Sequence, residues 1–435
     1  METVSVALIG LGTIGTGVAK ILLEHSDVLV SAAGRQVVLA KICDKDITTN
    51  RGITLPSEIM TTDIDSVAND KSISVVIELI GGLEPARTFV LKMLRAGKNV
   101  ITANKALIAQ HGQELFDTAR GCGRTIAFEA AVCGGIPILG TLMTSLQANR
   151  VKSIHAIVNG TCNFILSQME ENGTNYNDAV KEAQRLGYAE ANPAMDVDGT
   201  DSVQKLTILS QLAFGMTVDW KSIPRTGIEA VDAIDFRYAR ELGYKIKLLA
   251  VADASSNDIE LHVSPTLVRK TDPLSRVSDA FNAVRVIGDC VGPVFFHGLG
   301  AGRMPTASAI VGDLIDTVLG RTAITAGALQ LWNENKREAK RKDPNEFYGK
   351  SYLRMLVDDQ PGVVHNISGV LGKHKISIAS MIQHETTEPK QNGKPPVFLI
   401  IATHKSREGD MLEAINEMEN ISSVHGKVVR MRVLD

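Results

Sequence analysis

A carboxylate and a lysine at helical spacing form the first group in this chain that could transfer a proton. Asp201 and Lys205 are four residues apart in a segment predicted to be helical, so they share one face. On an exposed helix such a pair would be a surface ion pair worth roughly 0.3–0.5 kcal/mol. The segment is apolar nearly all round, however, which indicates a buried helix. We therefore expect Lys205 to point into a lined cleft with Asp201 beside it. The apolar residues are Val203, Leu206, Ile208, Leu209 and Leu212.

A lysine in such a place can act as an acid or a base. Partial burial lowers the pKa of an amine and a nearby carboxylate raises it, so Lys205 can be poised for proton transfer. Lys105 follows the predicted strand 99–102, at the carboxyl edge where ligands of open α/β sheets bind. It could reach both a cofactor and a substrate there, although a lysine that contacts phosphate or solvent would show the same pattern.

A glycine-rich loop near the amino terminus predicts a dinucleotide site. Gly10, Gly12 and Gly15 form a G-x-G-x-x-G motif between a predicted strand and a predicted helix. Gly10 permits the tight turn, Gly12 lets a pyrophosphate approach the backbone, and Gly15 lets the helix pack closely on the strand. The backbone N–H groups near Thr13 and Ile14 would face the phosphates. A glycine-rich turn without a ligand is the alternative.

The end of the second strand predicts how the ribose is bound. Asp44 is the candidate for the ribose 2′-hydroxyl, although it lies farther along than the usual spacing of roughly 20 residues. We attribute the extra length to an inserted loop over 25–36. Lys45 and Arg35 could instead accept a 2′-phosphate. NAD and NADP both remain open, with Asp44 favouring NAD.

The elements that position these residues alternate between strand and helix over the first 130 residues. Such alternation is typical of a doubly wound parallel sheet, a Rossmann-type α/β fold. The predicted strands are 4–10, 37–43, 73–80, 99–102 and 125–129, and the predicted helices are 14–23, 86–96 and 106–120.

The rest of the chain predicts two further parts. Helical and strand-like runs are mixed beyond Gly134 and indicate an α+β domain, while a helix over 305–330 is expected to pack back on the first domain. Residues 333–350 are charged and nearly free of aliphatic side chains, as in a solvated connector. The pattern beyond them is βαββαβ, which predicts a small ferredoxin-like sheet with two helices on one face.

Composition excludes several classes of partner. The 435 residues are 44% hydrophobic and 22% charged, and the formal net charge is -3, which removes the electrostatic reason to expect nucleic acid or an anionic membrane. The amino terminus lacks a signal-peptide pattern and no apolar run reaches the roughly 18 residues of a membrane span. Five scattered cysteines without a CxxC pattern favour reduced thiols, and no HExxH motif supports a catalytic zinc. We expect a cytoplasmic enzyme.

Six sequence blocks carry a resemblance to a known family. In order along the chain they are GLGTIG at 10–15, ITANKAL at 101–107, FEAAVCGGIPIL at 128–139, NGTCNFIL at 159–166, GYAEANPAMDVDGTDSVQKL at 187–206 and GLGAGRMPTASAIVGDL at 298–314. Together they resemble the homoserine dehydrogenase family. The C-terminal βαββαβ segment, with Asp359-Gln-Pro-Gly362 after its first strand and Ile376-Ser-Ile378 in its second, resembles an ACT domain. The resemblance covers nearly the whole chain except the connector.

The resemblance implies a domain organisation and an assembly. It implies an NAD(P)-binding Rossmann domain over 1–130, a substrate-binding and dimerisation domain over 131–304, a linker over 331–350 and an ACT regulatory domain over 351–435. A homodimer or homotetramer is implied, with L-threonine as a possible effector of the ACT domain.

The resemblance also implies a reaction, the NAD(P)-dependent interconversion of L-homoserine and L-aspartate 4-semialdehyde on the route to threonine, isoleucine and methionine. Lys205 would be the proton donor and Lys105 would assist at substrate and cofactor. Glu190 and Asp201 would hold the substrate's ammonium and polar end, which suits carboxylates because a buried ammonium must be paired. Backbone or side-chain contacts to the cofactor are implied at Gly10, Gly12, Thr13, Ile14, Gly15, Cys43, Asp44, Lys105, Gly187 and Gly302.

A monovalent-cation site is implied in the FEAAVCGGIPIL block. The side chain of Glu129 and the backbone carbonyls of Val132, Gly134 and Ile136 would form an oxygen-only shell, which suits sodium and not zinc. A glycine-rich hinge without an ion is the alternative.

Two other functions remain possible from the residues. An aspartate-semialdehyde dehydrogenase would use Cys133 as a nucleophile that forms a thiohemiacetal. A non-catalytic amino-acid sensor would use the ACT domain alone, but the intact glycine loop and the Lys205 cluster disfavour it.

Overall fold

The computed structural model describes residues 2–254, 258–333, 340–384 and 395–434. The chain divides into two compact units. Unit 1 comprises Met1–Ile154, Ser202–Ile223 and Phe281–Ala339, and unit 2 comprises His155–Asp201, Pro224–Ala280 and Lys340–Asp435.

The strands of the described residues are numbered in chain order. They are β1 (Thr3–Ile9), β2 (Gln36–Cys43), β3 (Met60–Thr61), β4 (Ile73–Glu78), β5 (Asn99–Thr102), β6 (Ile126–Ala127), β7 (Val151–Ile157), β8 (Tyr244–Asp253), β9 (Glu260–Arg269), β10 (Phe281–Gly288), β11 (Gly292–Leu299), β12 (Tyr348–Val357), β13 (Ile378–Gln383), β14 (Val397–Thr403), β15 (Ser406–Arg407) and β16 (Val424–Leu434).

The helices are numbered in the same way. They are α1 (Thr13–Glu24), α2 (Ser26–Ala33), α3 (Ile64–Ala68), α4 (Ala86–Arg95), α5 (Lys105–Gly121), α6 (Ile138–Met143), α7 (Gly160–Asn172), α8 (Tyr176–Arg185), α9 (Ala194–Val197), α10 (Thr200–Phe214), α11 (Ala233–Glu241), α12 (Arg303–Val318), α13 (Arg321–Leu329), α14 (Val363–Lys373) and α15 (Glu408–Glu419).

Unit 1 is built on a parallel sheet with the strand order β3-β2-β1-β4-β5-β6. From β1 the chain adds strands first on one side and then, beginning with β4, on the other. This switch between β1 and β4 creates the crevice where such sheets bind ligands. The predicted doubly wound α/β fold is confirmed. The carboxyl ends of β1, β2, β4 and β5 therefore lie along one edge, where Gly10 follows β1, Asp44 follows β2 and Lys105 lies just beyond β5.

Helix α12 belongs to the same core. Its buried residues Ala307, Ile310 and Leu314 join the apolar cluster of the sheet's first helix. The two helices approach closely, because a Cβ atom built on Gly17 of α1 would lie 3.2 Å from that of Ala307. The single helix predicted over 305–330 is wrong, because this segment contains most of α12, which packs on α1, and a second helix, α13, that begins after Gly320.

One prediction about this unit is wrong. Residues 25–36 were expected to form an inserted loop, but they contain the helix α2. Leu29 and Ala33, four residues apart, are its buried side chains, and the helix ends at Gly34 with φ 64°. A helix with only two buried residues has a weak apolar pattern, and its cap at Gly34 is the signal that the prediction did not use.

Unit 2 contains strands in the order β8-β9-β16-β12-β14-β13. Strands β12, β13, β14 and β16 with helices α14 and α15 form the predicted ferredoxin-like βαββαβ arrangement, which is confirmed. Its core is apolar and lies between the sheet and the two helices. The last strand, β16, also pairs in parallel with β9, with Arg432 opposite Thr266.

The linker predicted over 331–350 is more ordered than expected where it is described. Trp332 is buried and its ring stacks on Phe116 at 4.5 Å. Phe347 is fully buried and is followed at once by β12. The many charged residues between Trp332 and Phe347 dominate the composition of this stretch, so the composition did not reveal the two buried aromatic residues. Residues 334–339 lie outside the described residues.

Candidate active site

The glycine loop of unit 1 has the geometry that a dinucleotide requires. Gly10 has φ 100°, and a Cβ on it would lie 2.7 Å from the backbone carbon of Leu79. A Cβ on Gly15 would lie 2.1 Å from the carbonyl oxygen of Gly10, so helix α1 packs where only glycine fits. A Cβ on Gly12 would meet nothing within 4 Å. Gly12 and Thr13 are exposed at the start of α1, which leaves room for a phosphate at the helix N-terminus.

Asp44 lies next to this loop, and its carboxylate already accepts hydrogen bonds from the protein backbone. Its carboxylate accepts hydrogen bonds from the backbone N–H of Leu11 and, at 2.8 Å, of Asp46. Arg51, which the sequence reasoning missed, lies 3.5 Å from Asp44 and donates to the carbonyl of Asp46 at 2.8 Å. The preceding Cys43 is buried, and burial together with Asp44 raises the pKa of its thiol.

The two cations proposed for a 2′-phosphate have different positions. Lys45 is exposed, directly after Asp44. Arg35 precedes β2 and pairs with Glu2 at 3.3 Å, at the end of the sheet opposite the glycine loop. Arg35 is therefore excluded as a phosphate ligand, and Arg51 takes its place as a candidate.

Lys105 is the first residue of α5 and is half-buried. Asn104 caps this helix by accepting the N–H of Leu107 at 3.1 Å, and its amide also donates to the carbonyl of Gly82 at 2.6 Å. These contacts hold the turn between β5 and α5. The position of Lys105 at the carboxyl edge of the sheet follows from that turn.

A buried carboxylate lies on the neighbouring strand. Glu78 ends β4, and its side chain accepts hydrogen bonds from the hydroxyl of Thr102 at 2.6 Å and the N–H of Ile80 at 2.8 Å. Burial raises the pKa of Glu78. The sequence reasoning did not select this residue, because one carboxylate at a strand end has no local partner in the sequence.

The proposed cation loop contains a desolvated carboxylate pair. Glu129 accepts hydrogen bonds from the N–H groups of Leu139, at 2.9 Å, and Gly140, while its own N–H donates to Asp313 at 2.8 Å. Burial raises the pKa of Glu129, and burial with the charge of Glu129 raises that of Asp313. A cation beside these groups would offset both effects.

The backbone of this loop is compatible with a carbonyl shell. Cys133 and Gly134 have φ angles of 54° and 21°, which turn the chain sharply between Val132 and Ile136. The carbonyl of Ile136 accepts the N–H of Ile138 at 2.8 Å and still has a second lone pair. The donor set therefore fits a hard monovalent cation. Among the described residues, no group of three or more His, Cys, Asp or Glu side chains could hold a metal.

Cys133 is poorly placed for the rival chemistry. Its side chain is 1% exposed, and the amide of Asn282 lies 3.5 Å from its sulfur. A nucleophile must reach a substrate carbonyl, so the burial of this thiol disfavours a role in a thiohemiacetal.

Unit 2 contains a cluster of carboxylates held by one amide. Asn159 caps α7 by accepting the N–H of Cys162 at 2.7 Å. Its amide nitrogen donates to Asp196 and to Asp201, at 2.8 Å in each case. Asp201 is 6% exposed, and the bond to Asn159 is buried. Asp196 and Asn159 are candidate site residues that the sequence reasoning missed here, although both lie in the blocks that carry the resemblance.

The other predicted residues of this unit lie in the segment before the cluster. Gly187 has φ 77° and, like Glu190, is exposed. The chain between them is held by the hydroxyl of Thr161, which donates to the carbonyl of Tyr188 at 2.6 Å. The rings of Tyr188 and Phe164 are 4.9 Å apart. The exposed residues Gly187 and Glu190 therefore lie on a segment that hydrogen bonds to α7 and packs on it.

Lys205 lies on α10, one turn after Asp201, and is half-buried. Its neighbours Gln204 and Leu206 are buried, so the expectation of a buried helix is confirmed. Lys205 belongs to unit 1 and Asp201 to unit 2. Gly302 is the N-cap residue of α12 and has φ 118°, a conformation that favours glycine.

Comparison with known proteins decides the family. Residues 10–129 match the model for the homoserine dehydrogenase NAD-binding domain, residues 137–315 match the model for homoserine dehydrogenase, and residues 351–420 match the ACT domain. The chain belongs to the homoserine dehydrogenase family. It is therefore an NAD(P)-dependent oxidoreductase with an ACT regulatory domain, a kind of domain that binds amino acids.

Relatives in this family match over nearly their whole length. A homoserine dehydrogenase from Pseudomonas aeruginosa is 40% identical, with 100% of this chain and 99% of the relative covered, and one from Bacillus subtilis is 38% identical, with 98% and 97% covered. The crystal structure of a homoserine dehydrogenase from Thiobacillus denitrificans superposes with a TM-score of 0.92 at 40% identity, covering 100% of this chain and 99% of that one.

A second solved structure has a bound cofactor. A hyperthermophilic archaeal homoserine dehydrogenase in complex with NADPH has a TM-score of 0.61 and 27% identity, and the match covers 73% of this chain and 98% of that one. In the described ranges, no helix combines the length and the hydropathy needed to cross a membrane.

Proposed function

We propose that this chain interconverts L-homoserine and L-aspartate 4-semialdehyde by lysine acid–base catalysis, on the route to threonine, isoleucine and methionine. The observation that carries the proposal is the buried Asn159–Asp201 contact, one helical turn before Lys205. This contact orients the carboxylate of Asp201 at 2.8 Å from the amide nitrogen of Asn159, and a carboxylate is the kind of group that binds a substrate ammonium. Family membership supports the assignment of the substrate.

In the proposed mechanism each side chain has one task. Glu190 and Asp201 bind the ammonium and the polar end of the substrate. Lys205 gives a proton to the carbonyl oxygen in reduction and takes it from the hydroxyl in oxidation, and its charge stabilises the developing alkoxide. Lys105 orients substrate and cofactor. When bound, the nicotinamide supplies or accepts the hydride.

The cofactor would be held by backbone and by charge. Gly10, Gly12 and Gly15 with the N–H groups near Thr13 and Ile14 would bind the pyrophosphate, and further contacts are proposed from Cys43, Gly187 and Gly302. Because Asp44 already accepts two backbone hydrogen bonds, we propose that Arg51 and Lys45 admit a 2′-phosphate and that the enzyme uses both NAD and NADP.

Assembly and regulation follow the family expectation. We propose a homodimer or homotetramer, an ACT domain over 351–435 that responds to L-threonine, and a sodium ion bound by Glu129 with the carbonyls of Val132, Gly134 and Ile136. The boundaries at 1–130, 131–304 and 331–350 are proposals of the same kind.

One assay tests the proposed reaction. Full-length protein is mixed with L-homoserine and either NAD or NADP, and the absorbance of the reduced cofactor is followed. The proposal predicts reduction without added phosphate and with full activity after thiol alkylation. A parallel reaction contains L-aspartate 4-semialdehyde and NAD or NADP, since a thiohemiacetal forms only from an aldehyde. Cofactor reduction there that requires phosphate and is lost on alkylation would favour the Cys133 enzyme, and an absence of turnover with either substrate would favour a non-catalytic sensor.

A further inference from the structure

Glu78 is a buried titratable group of unit 1 that the proposed mechanism does not use. It is the last residue of β4, and its side chain is 1% exposed. In the sheet it pairs with Ile9, the last residue of β1, and with Thr102, the last residue of β5. Glu78 therefore lies at the carboxyl edge of the sheet, beside the switch between β1 and β4 where such sheets bind ligands.

The two carboxylate oxygens of Glu78 bind two different turns. Oε1 accepts the N–H groups of Ile80 at 2.8 Å and of Gly81 at 3.3 Å, in the turn after β4. Oε2 accepts the hydroxyl of Thr102 at 2.6 Å, where the turn after β5 begins. All three partners donate, so these contacts need an acceptor at both ends of the carboxyl group. Burial raises the pKa of Glu78, and the hydrogen bonds oppose that rise.

The turn after β4, residues 79–82, packs against the glycine loop. A Cβ atom on Gly10 would lie 2.7 Å from the backbone carbon of Leu79 and 2.9 Å from the backbone nitrogen of Ile80. The N–H of Ile80 is one of the groups that donate to Glu78. The carboxylate of Glu78 therefore holds the stretch of backbone that lies against Gly10.

The turn after β5 leads into Lys105. The hydroxyl of Thr102 that donates to Glu78 also accepts the N–H of Asn104 at 3.0 Å. Asn104 is the N-cap residue of α5, and its amide nitrogen donates to the carbonyl of Gly82 at 2.6 Å. These contacts form a closed ring that joins the two turns through Glu78. Lys105 follows Asn104 directly, so the ring sets the position of its backbone.

We propose that Glu78 is a positioning residue, which holds the backbone beside the glycine loop and the backbone of Lys105 in fixed relative positions. It acts through the two turns and through Lys105, without touching the cofactor or the substrate. A carboxylate suits this task because an amide of the same shape can accept at only one of its two ends. The inference rests on the role of Lys105 at the cofactor, which is part of the proposed function.

The first test is a double-mutant cycle on the dissociation constant of NAD(P), measured by titration of the full chain. Thr102→Val keeps the shape of the side chain and removes the hydroxyl between Glu78 and Asn104. It should raise the dissociation constant roughly fivefold, because the turn before Lys105 loses two hydrogen bonds. In a Lys105→Ala background the same substitution should cause no further increase, because its effect is exerted through Lys105.

Two threonine variants control this cycle. Thr102→Ser keeps the hydroxyl and should restore the wild-type dissociation constant. Thr88→Val removes an exposed hydroxyl of α4 that donates to Glu84 at 2.8 Å, so it loses the same kind of contact on the surface. It should bind NAD(P) as the wild type does.

The second test is Glu78→Gln, which affects the carboxylate itself. Whichever end carries the amide nitrogen, one turn loses its acceptor and meets a donor instead, and we expect a dissociation constant of NAD(P) roughly tenfold higher. Asp235→Asn is the matched control, because Asp235 is a fully buried carboxylate of unit 2 that accepts the hydroxyl of Tyr352 at 2.8 Å. It should lower the melting temperature and leave the dissociation constant near the wild-type value.

Three results would overturn the proposal. They are a wild-type dissociation constant in Glu78→Gln, a wild-type dissociation constant in Thr102→Val, and effects of Thr102→Val and Lys105→Ala that multiply in full, as those of independent residues do. Thermal melting establishes that each variant is folded, and the Thr102 cycle decides alone if Glu78→Gln does not fold. Homoserine-dependent reduction of NAD(P) is measured on the same samples. A wild type that binds NAD(P) without turnover would contradict the proposed reaction and not the positioning role.

Discussion

The glycine loop of unit 1 and the carboxylate cluster of unit 2 are two recognition sites of opposite construction. The loop offers backbone N–H groups and space, and Gly12 has nothing within 4 Å of where a Cβ would be. The cluster offers side-chain charge, held by two 2.8 Å bonds from Asn159. The difference implies that a substitution which adds volume to the loop will weaken cofactor binding. In the cluster, a substitution which adds charge without changing volume will weaken substrate binding.

Among changes to these two sites, the largest effect is expected from Asn159→Asp, which keeps the shape of the side chain. It replaces the amide that bridges Asp196 and Asp201 by a third carboxylate, so two attractive contacts become repulsive. We expect kcat/KM for homoserine to fall roughly 100-fold or more, from the loss of two charge-assisted hydrogen bonds. Steady-state kinetics checks this, with Asn172→Asp at the exposed end of α7 as the matched control.

The cofactor dissociation constant separates the two sites in that experiment. It should stay near the wild-type value in Asn159→Asp, since the glycine loop is unchanged. An unaltered kcat/KM for homoserine would show that the cluster has no role in binding the substrate.

The next effect is expected from volume added to the loop. Gly12→Val should raise the dissociation constant of NAD(P) about tenfold or more without loss of folding, because the new side chain occupies only open space. Gly10→Ala should instead lower the melting temperature, since its Cβ would lie 2.7 Å from backbone at φ 100°. Cofactor titration and thermal melting of the two variants check this, and equal effects of both on folding would contradict it.

A smaller effect is expected at the ribose end of the loop. Arg51→Ala should lower kcat/KM for NADP about tenfold relative to NAD, because a 2′-phosphate loses one charged partner. Kinetics with both cofactors measures the ratio. Arg35→Ala is the control, because Arg35 pairs with Glu2 at the other end of β2. An unchanged ratio in Arg51→Ala would remove this residue from cofactor selection.

The smallest effect is expected at Glu129, whose side-chain carboxylate lies in a loop that otherwise offers backbone groups, so that it combines features of both sites. Burial raises its pKa, so the folded state disfavours the ionised form and stability is lost as the pH rises from about 4.3 upward. Sodium should raise the melting temperature of the wild type by roughly 3 °C at saturation. Glu129→Gln should abolish this shift and flatten the pH dependence.

The control for that variant is Glu182→Gln, which alters a carboxylate on the exposed side of α8. It should keep the sodium shift of the wild type. A sodium shift that survives in Glu129→Gln would place the ion elsewhere or show that the effect is one of ionic strength.

Features set by local sequence were predictable. Gly10, Gly12 and Gly15 follow directly from the strand, the turn and the start of α1, and the βαββαβ order of the ACT domain was read from short apolar runs. The buried face of the helix around Lys205 was also predicted, because its apolar residues cover most of its surface. Each of these signals lies within about fifteen residues of chain.

Features that depend on distant partners were not predicted. Asn159 meets Asp196 and Asp201 across 37 and 42 residues, and Glu129 meets Asp313 across 184. The sequence around Asn159 or around Glu129 gives no sign of these distant partners. The cap of α7 at Asn159 and Gly173 was a readable signal that was not used.

The central claim, that Lys205 is the acid–base group, is tested most directly by single-turnover reduction of NADP with homoserine in Lys205→Ala. We predict a rate lower by about three orders of magnitude or more, because general acid–base and electrostatic stabilisation are both lost. The dissociation constant of the cofactor should stay near the wild-type value, and Lys181→Ala, an exposed lysine of α8, should react normally. A wild-type rate in Lys205→Ala would contradict the account.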